Sequence, residues 1–250
     1  MSDLFWLADA QMACFEPFFP KSHGKPRADG GRVLSGIIFI NRNDLRWRDA
    51  PNAYGTYMTL YNRWKRWSDK GIFAQRMVGL AAEHVETKTV MINATYHKAH
   101  RTASSLAVKN GGRGRLIGRT KGGINTKLHA ICDSECRPLN LFVTAGQVSN
   151  YIGARALLSS LPDLDWLLGD RGYDIDWFRE VLKDKGIRPC IPGRKQRKTS
   201  VRYGKRRYKR RNRIEIMFGR LKDWRRVATR YDRCPKVFLS AIALAATVIY

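Results

Sequence analysis

The chain has 250 residues and carries 47 Lys and Arg against 21 Asp and Glu, a formal net charge of +26. A positive field of this size indicates a polyanionic partner, and we expect nucleic acid. No apolar stretch is long enough to span a bilayer and the first residues are not basic, so we expect a cytoplasmic protein without a membrane span or signal peptide. The odd number of scattered cysteines indicates free thiols rather than disulfides or a zinc site.

Helical periodicity dominates the first part of the chain, residues 1–82. The apolar pattern predicts helices over residues 4–15, over residues 30–44 and, as a pair that breaks near Gly71, over residues 56–84. The third helix carries three cations, Arg63, Lys65 and Arg66. We interpret the region as an all-helical, helix-turn-helix-like DNA-binding domain. A helical bundle with a basic solvated face is the alternative.

The spacing of apolar residues changes in the second part of the chain, residues 83–250, and is no longer helical throughout. Apolar runs predict five strands, at residues 89–92, 126–132, 139–145, 166–170 and 188–193. Helices are predicted between the later strands, and three strands in succession followed by alternating helices and strands predict an α/β fold with both sheet faces covered. For the glycine-rich basic segment 109–123, a flexible linker and a DNA contact are equally supported.

Two polar residues follow predicted strands. Asp170 ends the run WLLGD, and Asn93 follows the first strand, at the start of a predicted polar loop that contains His97 and His100. The carboxyl edge of such a sheet binds ligands, and phosphodiester cleavage by two metal ions needs carboxylates from several elements. Asp170 alone could equally cap a helix or pair with Arg171. For the two histidines, hydrogen bonding or phosphate contact fits better than metal binding.

The most basic segment, residues 194–233, contains 18 Lys and Arg against three acidic residues. A solvated tail is the simplest interpretation of such a segment, but a helix pattern runs from about 204 to 226. Four apolar residues form one stripe of this basic helix: Ile214, Met217, Phe218 and Leu221. A neighbouring stripe holds one carboxylate among cations: Tyr208, Arg211, Glu215 and Lys222.

The second of these stripes resembles the Y-R-E-K signature of the DDE transposases of bacterial insertion sequences. Five further motifs extend the resemblance from about residue 4 to residue 249: INATYHKAHRTASSL, GRTKGGINTKLHAICD, FVTAGQVSNYIGA, GDRGYDIDWFRE and GRLKDWRRVATRYDR. The whole chain therefore resembles a transposase of insertion-sequence family five. The resemblance implies a ribonuclease-H-like mixed five-stranded sheet flanked by helices in the second part. It also implies that the N-terminal helices read terminal inverted repeats.

The resemblance further implies three catalytic acids, which fall on Asn93, Asp170 and Glu215 and would hold two Mg²⁺ or Mn²⁺ ions. Asn93 departs from the family, which has aspartate there. Because an amide is neutral and offers one acceptor oxygen, it would bridge two ions poorly. Natural decay of the element and a deliberate change to trap a DNA complex both remain open, and the intact motifs elsewhere favour the deliberate change.

By the same resemblance, Tyr208, Arg211 and Lys222 are expected to contact the DNA ends. Arg225 and Arg226, one turn further on, either continue this basic track or are solvated charges. The expected partners are double-stranded DNA, as terminal inverted repeats and as target, and at least one further copy of the chain in a bacterial, nucleoid-associated complex.

The expected activity is metal-dependent strand cleavage and strand transfer, impaired by Asn93. The alternative is a non-catalytic DNA-binding relic or repressor of the element ends. An RNA-binding protein would explain the charge but not the ordered acids.

Overall fold

The computed structural model describes residues 3–20, 28–83, 88–105, 113–161 and 163–250. Its N-terminal helices are α1 (Asp9–Ala13), α2 (Gly30–Asn43), α3 (Tyr57–Asp69) and α4 (Ile72–Glu83). The later helices are α5 (Arg101–Ser104), α6 (Asn150–Leu157), α7 (Asp176–Asp184), α8 (Lys205–Tyr208), α9 (Asn212–Lys222), α10 (Arg225–Ala228) and α11 (Pro235–Ile249). The strands are β1 (Thr89–Ala99), β2 (Gly118–Thr120), β3 (Gly123–Asp133), β4 (Pro138–Ala145), β5 (Trp166–Gly169), β6 (Arg188–Cys190) and β7 (Thr229–Arg230).

One mixed sheet lies at the centre of the molecule. β1, β3 and β4 are antiparallel neighbours, and β5 and β6 are added in parallel on the other side of β1. The two short strands extend this sheet, because β2 pairs with β3 and β7 pairs with the end of β1. The predicted α/β fold is confirmed: a mixed sheet is flanked by helices, with a helical region before it.

The two faces of the sheet pack on separate apolar clusters. Val90 and Ile92 point towards α6 and α7, whereas Met91 joins the cluster on the opposite face. That second cluster contains residues of α2, α3, α4, α9 and α11 together, including Leu34, Trp64 and Phe218. The N-terminal helices therefore share one core with the sheet and α11, and the domain boundary near residue 82 stays a prediction.

The predicted end of the first strand at Ile92 is wrong. β1 continues to Ala99, because β3 is long enough to pair with it along this whole length, with Asn93 opposite Ala130 and Lys98 opposite Asn125. Asn93 is therefore a strand residue and not the first residue of a loop.

The first predicted helix, over residues 4–15, is also much shorter than expected. The backbone N–H of Leu7 donates to Ser35 Oγ at 3.0 Å, and the hydroxyl of Tyr54 donates to the carbonyl oxygen of Phe5 at 2.8 Å. These tertiary hydrogen bonds hold the first residues in a non-helical conformation, so that regular helix is limited to α1.

The predicted continuous helix over residues 204–226 is wrong as well. It is divided into α8, a 3₁₀ turn over Lys209–Arg211, α9 and α10. Positions 205–207 and positions 209–211 are all Lys or Arg, so three pairs of like charges lie four residues apart, beginning with Lys205 and Lys209. Such pairs destabilise a helix. At the other end, Trp224 has an extended backbone and a buried ring, which ends α9.

Two features were not predicted. The C-terminal helix α11 was missed, although eight of its side chains are buried. The segment predicted as a loop over residues 109–123 contains β2, while residues 106–112 lie outside the described part of the chain. In the described ranges, no helix combines the length and the apolar character needed to cross a bilayer. The five cysteines are free thiols, as the sequence predicted.

Close packing of α2 on Tyr54 gives a test of this fold. A Cβ at Gly36 would lie 2.7 Å from Tyr54 Cβ, and Tyr54 is fully buried. We therefore expect Gly36→Ala to lower the free energy of unfolding by about 1–3 kcal/mol in denaturant titrations. The matched control is Gly219→Ala in α9, where no atom lies within 4 Å and helix propensity should raise stability by up to about 1 kcal/mol. Equal stability of the two variants would contradict this packing.

Candidate active site

Three separate elements bring Asn93, Asp170 and Glu215 together. Ile92 of β1 pairs with Gly169 of β5, so the next residues, Asn93 and Asp170, are neighbours across two parallel strands. Glu215 lies in the first turn of α9, which packs on the same sheet face as Met91. Asn93 Nδ2 donates a hydrogen bond to Glu215 Oε1 at 2.9 Å.

The amide of Asn93 is held on both sides. Its Nδ2 donates to Glu215, and its Oδ1 accepts the backbone N–H of Ala94 at 2.8 Å. The residue is 6% exposed, whereas the Glu215 side chain is 52% exposed. A carboxylate at position 93 would place two negative charges where the structure now has a donor and an acceptor. The asparagine is therefore compatible with Glu215 without any cation between them.

Asp170 occupies the sheet edge and also caps the turn that follows it. One carboxylate oxygen accepts the backbone N–H of Gly172 at 2.7 Å, and no other side-chain hydrogen bond reaches Asp170 in the described residues. The sequence left open whether Asp170 caps a helix or pairs with Arg171, and the structure shows the cap. Burial, with a smaller contribution from the Asp170 charge, raises the pKa of Tyr173 beneath it.

Arg211 connects the two carboxylates electrostatically. Its guanidinium donates to Glu215 Oε1 at 2.9 Å and lies 5.7 Å from the centre of the Tyr208 ring. Burial lowers the pKa of Arg211, but the hydrogen bond to Glu215 and the charges of Glu215 and Asp170 outweigh it, so that the pKa is raised. This cation thus remains charged beside the acids.

Lys222 reaches the site from the far end of α9. Its Nζ donates to Thr95 Oγ1 at 2.6 Å, and Thr95 lies on the same face of β1 as Asn93, two residues earlier. Burial lowers the pKa of Lys222, and the nearby Glu215 charge partly opposes this. Thr95 was not predicted as a site residue, although its spacing from Asn93 follows the period of a strand.

His97, predicted in a loop, is fully buried in β1. Its Nδ1 donates to the carbonyl oxygen of Val227 at 2.7 Å, and burial lowers its pKa to about 4. The imidazole is therefore neutral near pH 7 and joins β1 to α10. His100 caps the short helix α5 through Thr102.

The turn after Asp170 is fixed by a buried carboxylate that the sequence did not single out. Asp174 accepts from Arg179 Nε at 2.7 Å, from an Arg197 guanidinium nitrogen at 3.0 Å and from the Arg194 backbone N–H at 2.7 Å. Burial alone would raise the pKa of Asp174, but these donors outweigh it and hold the pKa below its usual value. The start of the basic segment is thereby attached beside Asp170.

The other predicted DNA contacts lie in different environments. Arg66 and Arg225 are exposed, and Lys65 forms a surface ion pair with Asp69 at 3.3 Å. Arg63 lies 6.0 Å from the centre of the Trp67 ring. Arg226, by contrast, is only 8% exposed, and one of its guanidinium nitrogens donates to the carbonyl oxygen of Leu45 at 2.8 Å. Arg226 is therefore a structural link to the N-terminal region and not a solvated charge.

The donor set fits one divalent ion better than two. Mg²⁺ is commonly held by one or two carboxylates with water and phosphate oxygens, which Asp170 and Glu215 could provide. A pair of ions needs a shared anionic ligand, and the amide of Asn93 is a poor one. Accordingly, the part of the chain that the structure describes contains no group of three His, Cys, Asp or Glu residues placed to hold a metal ion.

Comparison with known proteins gives the family. Residues 7–77 match a family described as a putative transposase of the IS4/5 family, and residues 167–250 match a transposase DDE domain, which includes Asp170 and Glu215. The chain is 30% identical over 128 residues to a putative transposase for insertion sequence element IS6501 of Brucella ovis, across 51% of this chain and 98% of that protein. This chain belongs to the insertion-sequence transposases.

Two further similarities complete the comparison. An uncharacterised protein of Sinorhizobium fredii, y4sN, is 30% identical over 99 residues, across 40% of this transposase and 78% of that protein. Among solved structures, the strand transfer complex of Mos1 is similar at 12% identity with a TM-score of 0.28, across 68% of this transposase and 60% of that chain.

Stability measurements can test the contact between Asn93 and Glu215. In Asn93→Asp the hydrogen bond is replaced by two facing carboxylates, so we expect the free energy of unfolding without divalent ions to fall by about 1 kcal/mol, a modest value because Glu215 is half exposed. Added Mg²⁺ should raise the thermal midpoint of Asn93→Asp more than that of the Asn93 chain, because the ion binds the folded state.

The matched control is the double variant Asn93→Asp with Glu215→Gln. It restores a donor opposite the new carboxylate, so its midpoint without metal should recover and its response to Mg²⁺ should shrink. If the Asn93 chain and Asn93→Asp respond equally to Mg²⁺, residue 93 does not contribute to an ion site.

Proposed function

We propose that this chain is a DNA transposase of insertion-sequence family five whose cleavage chemistry is impaired by Asn93. The observation that carries the proposal is the convergence of Asn93, Asp170 and Glu215 from β1, β5 and α9, with an amide donating to a carboxylate where a third acid would complete the group. In this proposal the site is assembled by the fold and lacks one negative charge.

Divalent ions, Mg²⁺ or Mn²⁺, would supply activation of a water and stabilisation of the leaving 3′ oxygen when bound. Asp170 and Glu215 are the residues that would hold them, with an aspartate needed at position 93 for a pair. Water attacks the phosphorus of a phosphodiester at the element end and the P–O3′ bond breaks, which leaves a 3′-hydroxyl on one side and a 5′-phosphate on the other. The 3′-hydroxyl then attacks a phosphodiester of the target DNA, forms a new phosphodiester and releases a 3′-hydroxyl of the target strand. Arg211 and Lys222, which donate to Glu215 and Thr95, would orient the anionic strand beside the carboxylates.

The DNA partner would lie along two basic surfaces. We assign reading of the terminal inverted repeats to α3, with Arg63, Lys65 and Arg66. We assign contact with the DNA strand ends to a second group of residues: Tyr208, Arg211, Lys222 and Arg225. Because transposition joins two ends to one target, at least two copies of the chain are needed on the DNA.

The rival function is a DNA-binding relic or repressor that occupies the element ends without cutting them. The same hydrogen bond between Asn93 and Glu215 supports it, since the two side chains satisfy each other without an ion. The two proposals share DNA binding and differ in whether the remaining residues still form a competent site once a carboxylate is restored.

Cleavage assays on Asn93→Asp decide between them. We expect the variant to nick or cut a supercoiled plasmid carrying the reading frame with its natural flanking DNA, in Mg²⁺ or Mn²⁺ but not in EDTA. The Asn93 chain should cut the same plasmid at least about 100-fold more slowly, the scale on which loss of one well-placed electrostatic group slows a reaction.

The control is Asn93→Asp combined with Asp170→Asn, which keeps two of the three carboxylates and should be as slow as the Asn93 chain. Comparable cleavage by the Asn93 chain and by Asn93→Asp would contradict impairment by Asn93. Absence of cleavage by Asn93→Asp despite normal folding and binding would instead favour the relic.

DNA binding by α3 can be tested without truncation, which would expose the shared core. The triple variant with Arg63, Lys65 and Arg66 each changed to Ala should lose preference for the flanking ends over random DNA. The slope of log affinity against log salt should fall by up to about 0.9 for each lost phosphate contact. Lys183→Ala with Lys185→Ala, two exposed cations at the end of α7, serves as control and should retain the preference. A triple variant that still prefers the ends would place the reading surface elsewhere.

A further inference from the structure

A cavity of about 380 Å³ lies between α3 and the segment that joins β7 to α11. Trp47 and Tyr61 form two of its walls, with ring centres 5.6 Å apart and planes inclined at 68°. Its volume is within the about 300–1,000 Å³ typical of small-molecule sites. None of the predicted site residues except Lys65 and Arg226 lines this cavity.

The aromatic walls are held in place by Arg226. Its guanidinium lies 5.7 Å from the centre of the Trp47 ring and 5.6 Å from the centre of the Tyr231 ring, while it donates to Leu45. The hydroxyl of Tyr231 donates to Asp44 at 2.9 Å. These contacts hold the walls through the chain's own residues, so a ligand need not order them.

One carboxylate in the cavity has unused acceptor capacity. Asp232 lines the cavity with a side chain that is 15% exposed, and its nearest cationic partner is an Arg226 nitrogen at 3.9 Å, beyond hydrogen-bond distance. No side-chain hydrogen bond to this carboxylate occurs within the described ranges. Two exposed cations, Lys65 and Arg233, also line the cavity. The combination is stacking surfaces, one acceptor and two cations.

This combination matches a nucleotide. Aromatic faces stack on bases, a carboxylate accepts from an exocyclic amino group such as cytosine N4, and surface cations contact phosphates. We propose that the cavity binds one unpaired base with an exocyclic amino group, from the DNA that the transposase holds. The inference rests on the proposed function, because it requires DNA to be bound.

The position of the cavity agrees with one DNA partner for both sites. Asn93 lies near the middle of β1, and Lys98 and Ala99 at its end pair with Thr229 and Arg230, directly before Tyr231. Six residue steps of strand lead from Asn93 to Ala99, which is about 20 Å at 3.3 Å per residue. A duplex end at the acids would therefore need to extend about six base pairs, at 3.4 Å each, to reach the cavity.

Binding to three short duplexes tests the inference. They differ at one central position: a paired cytosine, a cytosine opposite an abasic site, and a thymine opposite an abasic site. By fluorescence anisotropy we expect the chain to bind the unpaired cytosine about tenfold more tightly than the paired duplex, the scale of one stacked base. The unpaired thymine should bind more weakly than the unpaired cytosine, because it has no amino group for Asp232.

Two variants and a matched control test whether the cavity causes the preference for unpaired cytosine. Tyr61→Ala should bind the paired duplex within about twofold of the unchanged chain but lose the preference for unpaired cytosine. Tyr57→Ala removes a similarly exposed tyrosine of the same helix that does not line the cavity, 38% exposed against 42%, and should keep the preference. Asp232→Asn should retain the preference for an unpaired base but no longer distinguish cytosine from thymine.

Other results of these binding experiments would contradict the cavity proposal or the proposed function, as follows. Equal affinity of the chain for all three duplexes, or equal loss in Tyr61→Ala and Tyr57→Ala, overturns the base-binding cavity while leaving the proposed DNA function intact. Failure to bind any of the duplexes overturns the proposed function and the cavity with it.

Discussion

Burial of the apolar stripe of α9 holds the most basic part of the chain against the sheet. The four side chains of this stripe are at most 3% exposed, and each contributes about 1.5–3 kcal/mol when fully buried. Their burial offsets the mutual repulsion of the cations on both sides of α9. It also determines the position of Glu215, because the stripe that carries Glu215, Arg211 and Lys222 is adjacent to the buried one. Both the candidate active site and the basic surface therefore depend on this packing.

Buried acidic side chains hold other basic residues in place through hydrogen bonds. Asp174 accepts from three donors and attaches the start of the basic segment to the turn after Asp170. Asp133, also buried, accepts from Arg137 at 2.6 Å at the opposite end of the sheet. Two of the chain's few carboxylates are thus used inside the fold, where each pairs with arginine. The remaining net charge of +26 favours DNA over any neutral partner.

Local patterns explain what the sequence could predict. The helix period defined the apolar stripe of α9 and placed Glu215 and Lys222 beside it, because these residues lie within three turns of one helix, and the apolar run before Asp170 defined β5. The α/β sheet with both faces covered followed from the order of the elements, whereas the ribonuclease-H-like fold was implied only by the family resemblance. The length of β1 could not be read in this way, since the polar residues after Ile92 are stabilised by pairing with β3, and the period-two pattern of Asn93, Thr95 and His97 was the only local sign of it. The arrangement of Asp174 with its donors, and of Asp232 with the aromatic rings, depends on contacts distant in sequence. α11 was overlooked although its apolar composition is local.

The strand position of Asn93 has a genetic consequence. Asparagine and aspartate have nearly the same shape, and β1 fixes the backbone of either residue through its pairing with β3, so exchange of the two requires no rearrangement of the fold. Their codons differ only in the first base, adenine against guanine. A single transition in the gene thus separates a chain with an amide at this position from one with a carboxylate.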